Sequence, residues 1–389
     1  MTPTSHTTTD VEALIGEFEL KPGLIYLNHA MAGPWPRRTR QAIQDFSDEA
    51  VELGASRVAD WGSFEVSLRM RYRRLLNADS VSDIALLKNT SEAISMVAFG
   101  LPWQRGDNVV LPAQEFPSNH IAWSALGEAG VELRRVDWGP GEDAEAKLME
   151  ACDENTRLLS VSAVQFSSGF RMDLERLGAF AHGNDILFCV DAIQQLGALP
   201  FDLKRCHADF VMAGAHKWQC APEGLAVFWS SPAVRDSLAP TQLGWRSRAD
   251  MLYFEPGDEW QLEKSARRFE SGTISQLNIR ATDASLSLLE DIGMDQVSAL
   301  LADRVEQLIQ GLQSMPAVTI LSDTSDDRRS GIVTFRIDGD NDALYSHLKD
   351  NGVFCAKRLG GIRLAPHFHT SIQDLHSALG LIDAFLSSH

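Results

Sequence analysis

The amino-acid sequence predicts an α/β protein: a mostly parallel sheet with helices on both faces, followed by a smaller α+β module. Three observations lead there. From residue 83 to residue 217 short apolar runs alternate with stretches of helical periodicity, the pattern of repeated strand and helix units. Several runs deliver polar residues at their carboxyl ends, where such sheets bind ligands. After Ile274 the pattern changes to two long helices, two strands and further helices, which reads as a second compact unit.

The chain has 389 residues, 44% of them hydrophobic, enough for one large domain plus a smaller one. Its formal net charge of −18 disfavours nucleic acid and anionic membrane surfaces as partners, and no Lys/Arg cluster reverses this locally. The five cysteines, Cys152, Cys189, Cys206, Cys220 and Cys355, are scattered without C-x-x-C spacing, so no metal site is expected and a reducing cytoplasm is the expected location. The polar start, MTPTSHTTTD, has neither a basic nor an apolar region of a signal peptide, and no apolar run reaches membrane-spanning length. His6 and its threonine neighbours read as a frayed end.

Residues 10–18 read as a short amphipathic helix with Val11, Leu14, Ile15 and Phe18 on one face. Residues 24–30 read as a strand entering a turn. The MAGPWP that follows must be an ordered loop near backbone or ligand, because Pro34 and Pro36 forbid regular ladder pairing. Residues 37–77 carry no proline and an apolar spacing of about 3.6 residues, so they read as mostly helical. Arg69, Arg71, Arg73 and Arg74 late in that stretch complement the helix dipole. Residues 83–88 form a strand and Asn89-Thr90-Ser91-Glu92 opens a helix. Such a start is a ready anion site, and equally a plain N-cap. Strands at 108–112, 131–136 and 158–164, with helices at 144–152 and 173–182, continue the alternation. A loop-rich region with Trp245, Tyr253, Phe254 and Trp260 reads as a lid or subunit contact. Helices at 276–292 and 294–315, strands at 318–321 and 331–337, a helix at 341–351 and a last helix from Ile372 complete the chain. The expected division is an N-terminal arm, 1–23, packing on the small domain, a large domain, 24–270, and a small domain, 271–389.

The stretch 187–224 carries the most chemistry. One apolar run ends in Asp191 and the next in His216 and Lys217. A carboxylate at the end of a buried strand is costly unless it meets a cation or a protonated ring nitrogen. A partly desolvated lysine is a usable amine nucleophile. An amine for a Schiff base and an acid for a pyridinium nitrogen are the two groups pyridoxal phosphate requires. On this stretch alone, Asp191 also fits a helix cap and Lys217 an ordinary surface lysine.

The order Asp191, Gln194, Lys217 resembles the cofactor site of the class V aminotransferase group of pyridoxal-phosphate enzymes, which includes cysteine desulfurases, kynureninases and related lyases and epimerases. The likeness extends over motifs from residue 26 to residue 370. It implies fold type I with a seven-stranded sheet, pyridoxal 5′-phosphate on Lys217, and Asp191 keeping the pyridine nitrogen protonated. The YLNxA segment implies Asn28, His29 and Ala30 at the substrate pocket. Thr90 and Ser91 stand at the family's phosphate motif, and Phe116 in EFPSN stands where a side chain stacks on the cofactor ring, in the form nearer the kynureninase-like branch. Gln165 in VQFSSG falls where the family has an Asn or Gln beside cofactor or substrate. The match of residues 268–273 to RFExGT implies that Thr273 reaches the phosphate of the neighbouring subunit's cofactor, hence a homodimer with shared sites. Gly214 and Ala215 replace a common phosphate-binding Ser, which leaves that duty to Thr90, Ser91, His216 and Thr273. Arg363 matches the arginine that holds the substrate α-carboxylate.

The chain departs from the desulfurase pattern. Only LGGI lies between Arg358 and Arg363, with no catalytic cysteine, and Cys355 reads as a small core residue. The expected activity is Cα deprotonation of a small amino acid by Lys217, leading to transamination or to carbon–sulfur β-elimination. Kynureninase-like hydrolysis and epimerisation are the alternatives, and a non-catalytic binding module is the reading from another class.

Overall fold

The computed structural model describes residues 8–139, 141–250 and 259–388. His6, Tyr253 and Phe254 lie outside them. The central sheet has seven strands in the spatial order Ile84–Leu87, Ala226–Ser230, Phe210–Gly214, Leu187–Asp191, Thr156–Ser162, Asn108–Pro112 and Glu132–Val136. Ala226–Ser230 runs antiparallel to both neighbours, and every other pairing is parallel. That strand was not foreseen. It follows the Gly224 turn without a crossover helix, so it must return antiparallel.

Successive strand residues point to opposite faces, and the sheet is buried on both. Ile84, Leu86, Val110, Leu159, Phe188, Val190, Val211 and Val227 pack on one side with residues of the helices Val58–Leu76, Leu174–Gly183 and Gln276–Ile292. Ala85, Leu87, Val109, Leu111, Leu158, Cys189, Phe210 and Phe228 pack on the other with Thr90–Gly100 and Pro117–Ser124. The helical stretch expected over 37–77 is two helices, Arg37–Leu53 and Val58–Leu76, because Gly54 takes φ 56° and ends the first.

A second sheet, antiparallel, has the order Ala356–Arg358, Gly361–Leu364, Val333–Ile337, Val318–Ile320. Its core includes residues of Met294–Gln313, Asn341–Asp350 and Ile372–Ser388, together with Cys355. Leu359 and Gly360, at φ 53° and 73°, form the two-residue turn between its first two strands. The N-terminal segment runs beside this unit: Ile25–Tyr26 pairs with Val353–Phe354, Asn28 bridges Ala365, and Phe18 stacks on His369 at 3.6 Å between centroids. Among the described residues no helix is long and apolar enough to cross a membrane.

Candidate active site

The parallel strands bring their carboxyl ends to one edge of the central sheet. There Asp191 closes its strand, Gly214 hands the chain to His216 and Lys217, and Pro112 leads to Phe116. A cavity of about 400 Å3 opens at this edge, lined by Asp191, Lys217, His216, Phe116, Thr90 and Ser91, and further out by Ala30, Gln194, Arg358 and Arg363.

Lys217 is 9% exposed. Burial pushes its amine down to about 8; Arg363 and Arg358 add to this effect and Asp191 opposes it. Its Nζ stands 5.6 Å from the centroid of Phe116, which meets Phe166 edge to face at 5.2 Å. Asp191 is buried and accepts from the Ile193 amide at 3.0 Å and from Asn119 Nδ2 at 3.2 Å. Burial raises its carboxyl, against those hydrogen bonds and the Lys217 charge. Among the described residues no cation lies at ion-pair distance from it.

Asn119 also donates to Glu115 at 3.2 Å, which accepts from the Ser162 amide at 2.6 Å, from Gln165 Nε2 at 2.9 Å and from the Ser162 hydroxyl. Burial outweighs these donors and pushes the Glu115 carboxyl up to about 7. Two buried acids thus share Asn119, a link the sequence reading did not anticipate.

The helix Thr90–Gly100 starts with Asn89 accepting from the Glu92 amide at 2.8 Å, while Glu92 accepts from the Lys88 amide at 2.6 Å. Thr90 Oγ1 accepts from the Gly214 amide at 2.9 Å, and the Ser91 and Ser118 hydroxyls meet at 2.8 Å. Burial, then the Lys217 charge, lowers the His216 ring, leaving it neutral and able to donate. The MAGPWP loop presses on this segment: the Gly33 amide donates to the His216 carbonyl at 2.8 Å, and a Cβ at Gly33 would stand 2.3 Å from the Lys217 carbonyl oxygen.

Arg363 is 1% exposed and donates to the Phe166 carbonyl at 2.6 Å and to Asn28 Oδ1 at 2.9 Å. Burial and Arg358 lower its guanidinium, which stays charged near neutral pH. Gln194 is tied at both ends, donating to the Ala30 carbonyl at 3.0 Å and accepting from Trp218 Nε1 at 2.7 Å.

Four sequence candidates do not line this cavity. Asn28 stands behind it and orients Arg363. His29 lies in the turn closed by the Met31 amide on the Asn28 carbonyl, and its ring bonds to the Ala365 carbonyl and to His369, each at 2.9 Å. Gln165 turns inward to Glu115, and its neighbour Phe166 takes the place at the wall. Thr273 is exposed, away from this chain's own pocket. Met31, Ser118, Phe166 and Arg358 line the cavity and were not proposed from sequence. Phe166 carried no periodic signal, because the strand ends at Ser162 and the chain turns after Gln165.

The donor set suits pyridoxal phosphate. Hydroxyls at a helix start suit the phosphate, Phe116 offers a flat face, Asp191 is a buried carboxylate in want of a cation, and Lys217 is an amine held below its ordinary value. Sheet, second unit and strand-end pocket together define a pyridoxal-phosphate-dependent enzyme of fold type I. The chain belongs to the aminotransferase class-V family, whose model matches residues 25–365. It is 30% identical to a probable cysteine desulfurase of Methanothermobacter thermautotrophicus, over 80% of this chain and 78% of that one. It is 28% identical to the uncharacterized aminotransferase YcbU of Bacillus subtilis over 91% of each. Among solved structures, a C-DES mutant with glycine covalently linked to its pyridoxal-phosphate cofactor superposes with a TM-score of 0.88 at 23% identity, covering 95% of this chain and 98% of that one, which shows the shared fold.

Proposed function

We propose that this enzyme removes the Cα proton of a small amino acid and then either transaminates it or eliminates a carbon–sulfur β-substituent. The observation that carries the reading is a pocket with a low-pKa amine and a buried acid but no thiol: none of the five cysteines lines it. Cys355 is buried in the core of the second sheet, and burial pushes its thiol up to about 12, which disfavours a thiolate nucleophile.

When bound, pyridoxal phosphate supplies an electron sink for negative charge at Cα. Asp191 holds a proton at the pyridine nitrogen, and the shell of Asn119 and the Ile193 amide keeps its carboxylate aimed. Lys217 takes the Cα proton as general base. Arg363 offers its planar fork to the α-carboxylate, with Asn28 and the Phe166 carbonyl fixing the fork. Thr90, Ser91 and His216 hold the phosphate, and Phe116 covers the ring and excludes water. Ala30 and Gln194 shape the substrate side.

Within this reading, 24–270 is the cofactor-holding domain, 271–389 the smaller one, whose first helix, Gln276–Ile292, packs on the central sheet, and 1–23 an arm. The enzyme works as a homodimer in which Thr273 of each chain serves the other chain's phosphate; its exposure outside its own pocket supports this, as does the exposure of the pocket residues Met31 and Phe116, at 57% and 41%. Five free cysteines suit a cytoplasmic location.

The test is to incubate the holoenzyme with an amino-acid panel. A keto acid formed only when an oxo-acid acceptor is present identifies transamination. Pyruvate and ammonia without an acceptor identify β-elimination. Alanine and sulfane sulfur from cysteine would overturn the reading. Lys217→Ala is the control: after borohydride treatment the wild-type Lys217 peptide carries the cofactor's mass and the variant carries none.

A further inference from the structure

Arg358 and Arg363 both line the pocket, and among the described residues neither has a carboxylate partner. Elsewhere the well-buried arginines are paired: Arg235 with Asp83, Arg246 with Glu65 and Glu270, Arg280 with Glu49. Two neighbouring guanidiniums without anions are costly: Arg363 is buried, Arg358 is half-buried with its Nε enclosed, and the charge of one weighs against the other. Arg358 sits over the Phe166 ring, its guanidinium carbon 5.7 Å from the centroid, and donates through Nη1 to the Lys357 carbonyl at 2.7 Å. Its Nε is buried and has no hydrogen-bond partner. Phe166 links the pair: its ring lies under Arg358 and its carbonyl accepts from Arg363. The short hairpin holds both residues, with Arg358 opposite Gly361 and Arg363 opposite Ala356. Among the described residues Asp191 is the only carboxylate lining the cavity, and it is committed at the sheet edge.

An α-carboxylate on Arg363 leaves Arg358 uncompensated. We propose that the substrate is an amino acid whose side chain ends in a second anionic group, a carboxylate or sulfinate, received by Arg358 across the Phe166 ring. This inference rests on the proposed function and names its substrate class.

The test compares the holoenzyme's affinity for unreactive acids of equal chain length, succinate against butyrate and glutarate against valerate, by calorimetry. The dicarboxylate is expected to bind about ten- to a hundredfold more tightly, the span expected of a charged hydrogen-bonded pair. In Arg358→Gln the ratio should fall to near one, and Arg358→Lys should keep part of it. In turnover, kcat/KM should favour aspartate or cysteine sulfinate over their neutral amide or thioether counterparts by a similar factor in the wild type alone. Equal affinity for both acids in the wild type, or a ratio that survives Arg358→Gln, overturns the proposal. So does loss of cofactor from Arg358→Gln, which would assign the guanidinium to the phosphate. A wild-type chain that never binds pyridoxal phosphate fails the functional reading instead, and the same acid comparison on the apo chain then still reads the arginine pair.

Discussion

Lys217 carries a pH dependence that follows from its burial. Its amine sits near 8 instead of 10.5, so below about pH 8 most of it is an ammonium that cannot attack an aldehyde. Uptake of pyridoxal phosphate by the apo chain should therefore speed up as pH rises through about 8 and level off above it. The growth of the visible absorption band, followed by stopped flow across pH, checks this; a rate still climbing toward pH 10.5 would mean an ordinary, solvated lysine. At this scale the sequence was legible where cost forces a partner. Asp191 and Lys217 stood out because a strand-end acid and amine are expensive unless used. Phe166 and Arg358 were illegible for the opposite reason: an aromatic beside Gln165 and an arginine on a short strand cost nothing until the fold turns them inward.

The RFExGT segment shows what one element does for the frame around the site. Glu270, with no exposed side-chain surface, accepts from Arg69 at 2.5 Å, from Arg246 at 2.9 Å and from the Leu86 amide at 2.9 Å, tying the edge strand Ile84–Leu87 to the helix Val58–Leu76. Glu270→Ala leaves two buried guanidiniums short of an acceptor and a strand amide unmet. It should cost about 3–5 kcal/mol, the usual range for breaking a buried pair, measured as a lower denaturant midpoint; a loss under about 1 kcal/mol would show that Glu65 takes over fully. The parallel strands were readable because burial on both faces makes them continuous apolar runs between polar ends. Ala226–Ser230 has the same composition. Its insertion between Ile84–Leu87 and Phe210–Gly214 depends on a turn geometry that hydrophobic periodicity does not encode. The split of 37–77 at Gly54 was hidden similarly, since an isolated glycine is tolerated in many helices.

At the scale of the assembly, sharing of sites has a distinctive signature. Mix Lys217→Ala chains with Thr273→Ala chains and let them exchange subunits. If each Thr273 serves its neighbour, the mixed dimer has one site with both residues intact, and activity should reappear at about half the wild-type level per dimer. If Thr273 serves its own chain, no mixture recovers. The change of pattern after Ile274 marked two long helices, but not that the first of them, Gln276–Ile292, packs on the central sheet. The pairing of Ile25–Tyr26 with Val353–Phe354 was not legible, because nothing local marks two short strands hundreds of residues apart as neighbours.

The bond from Arg363 to Asn28 spans 335 residues of chain. During synthesis Asn28 leaves the ribosome on the order of tens of seconds before Arg363 exists. The strands of the central sheet, all within residues 84–230, are likewise made before the hairpin that carries Arg363. Arg363, which we propose grips the substrate, is the last of the pocket's described lining residues to be made, so a chain cut short before its C-terminal hairpin is expected to lack that grip.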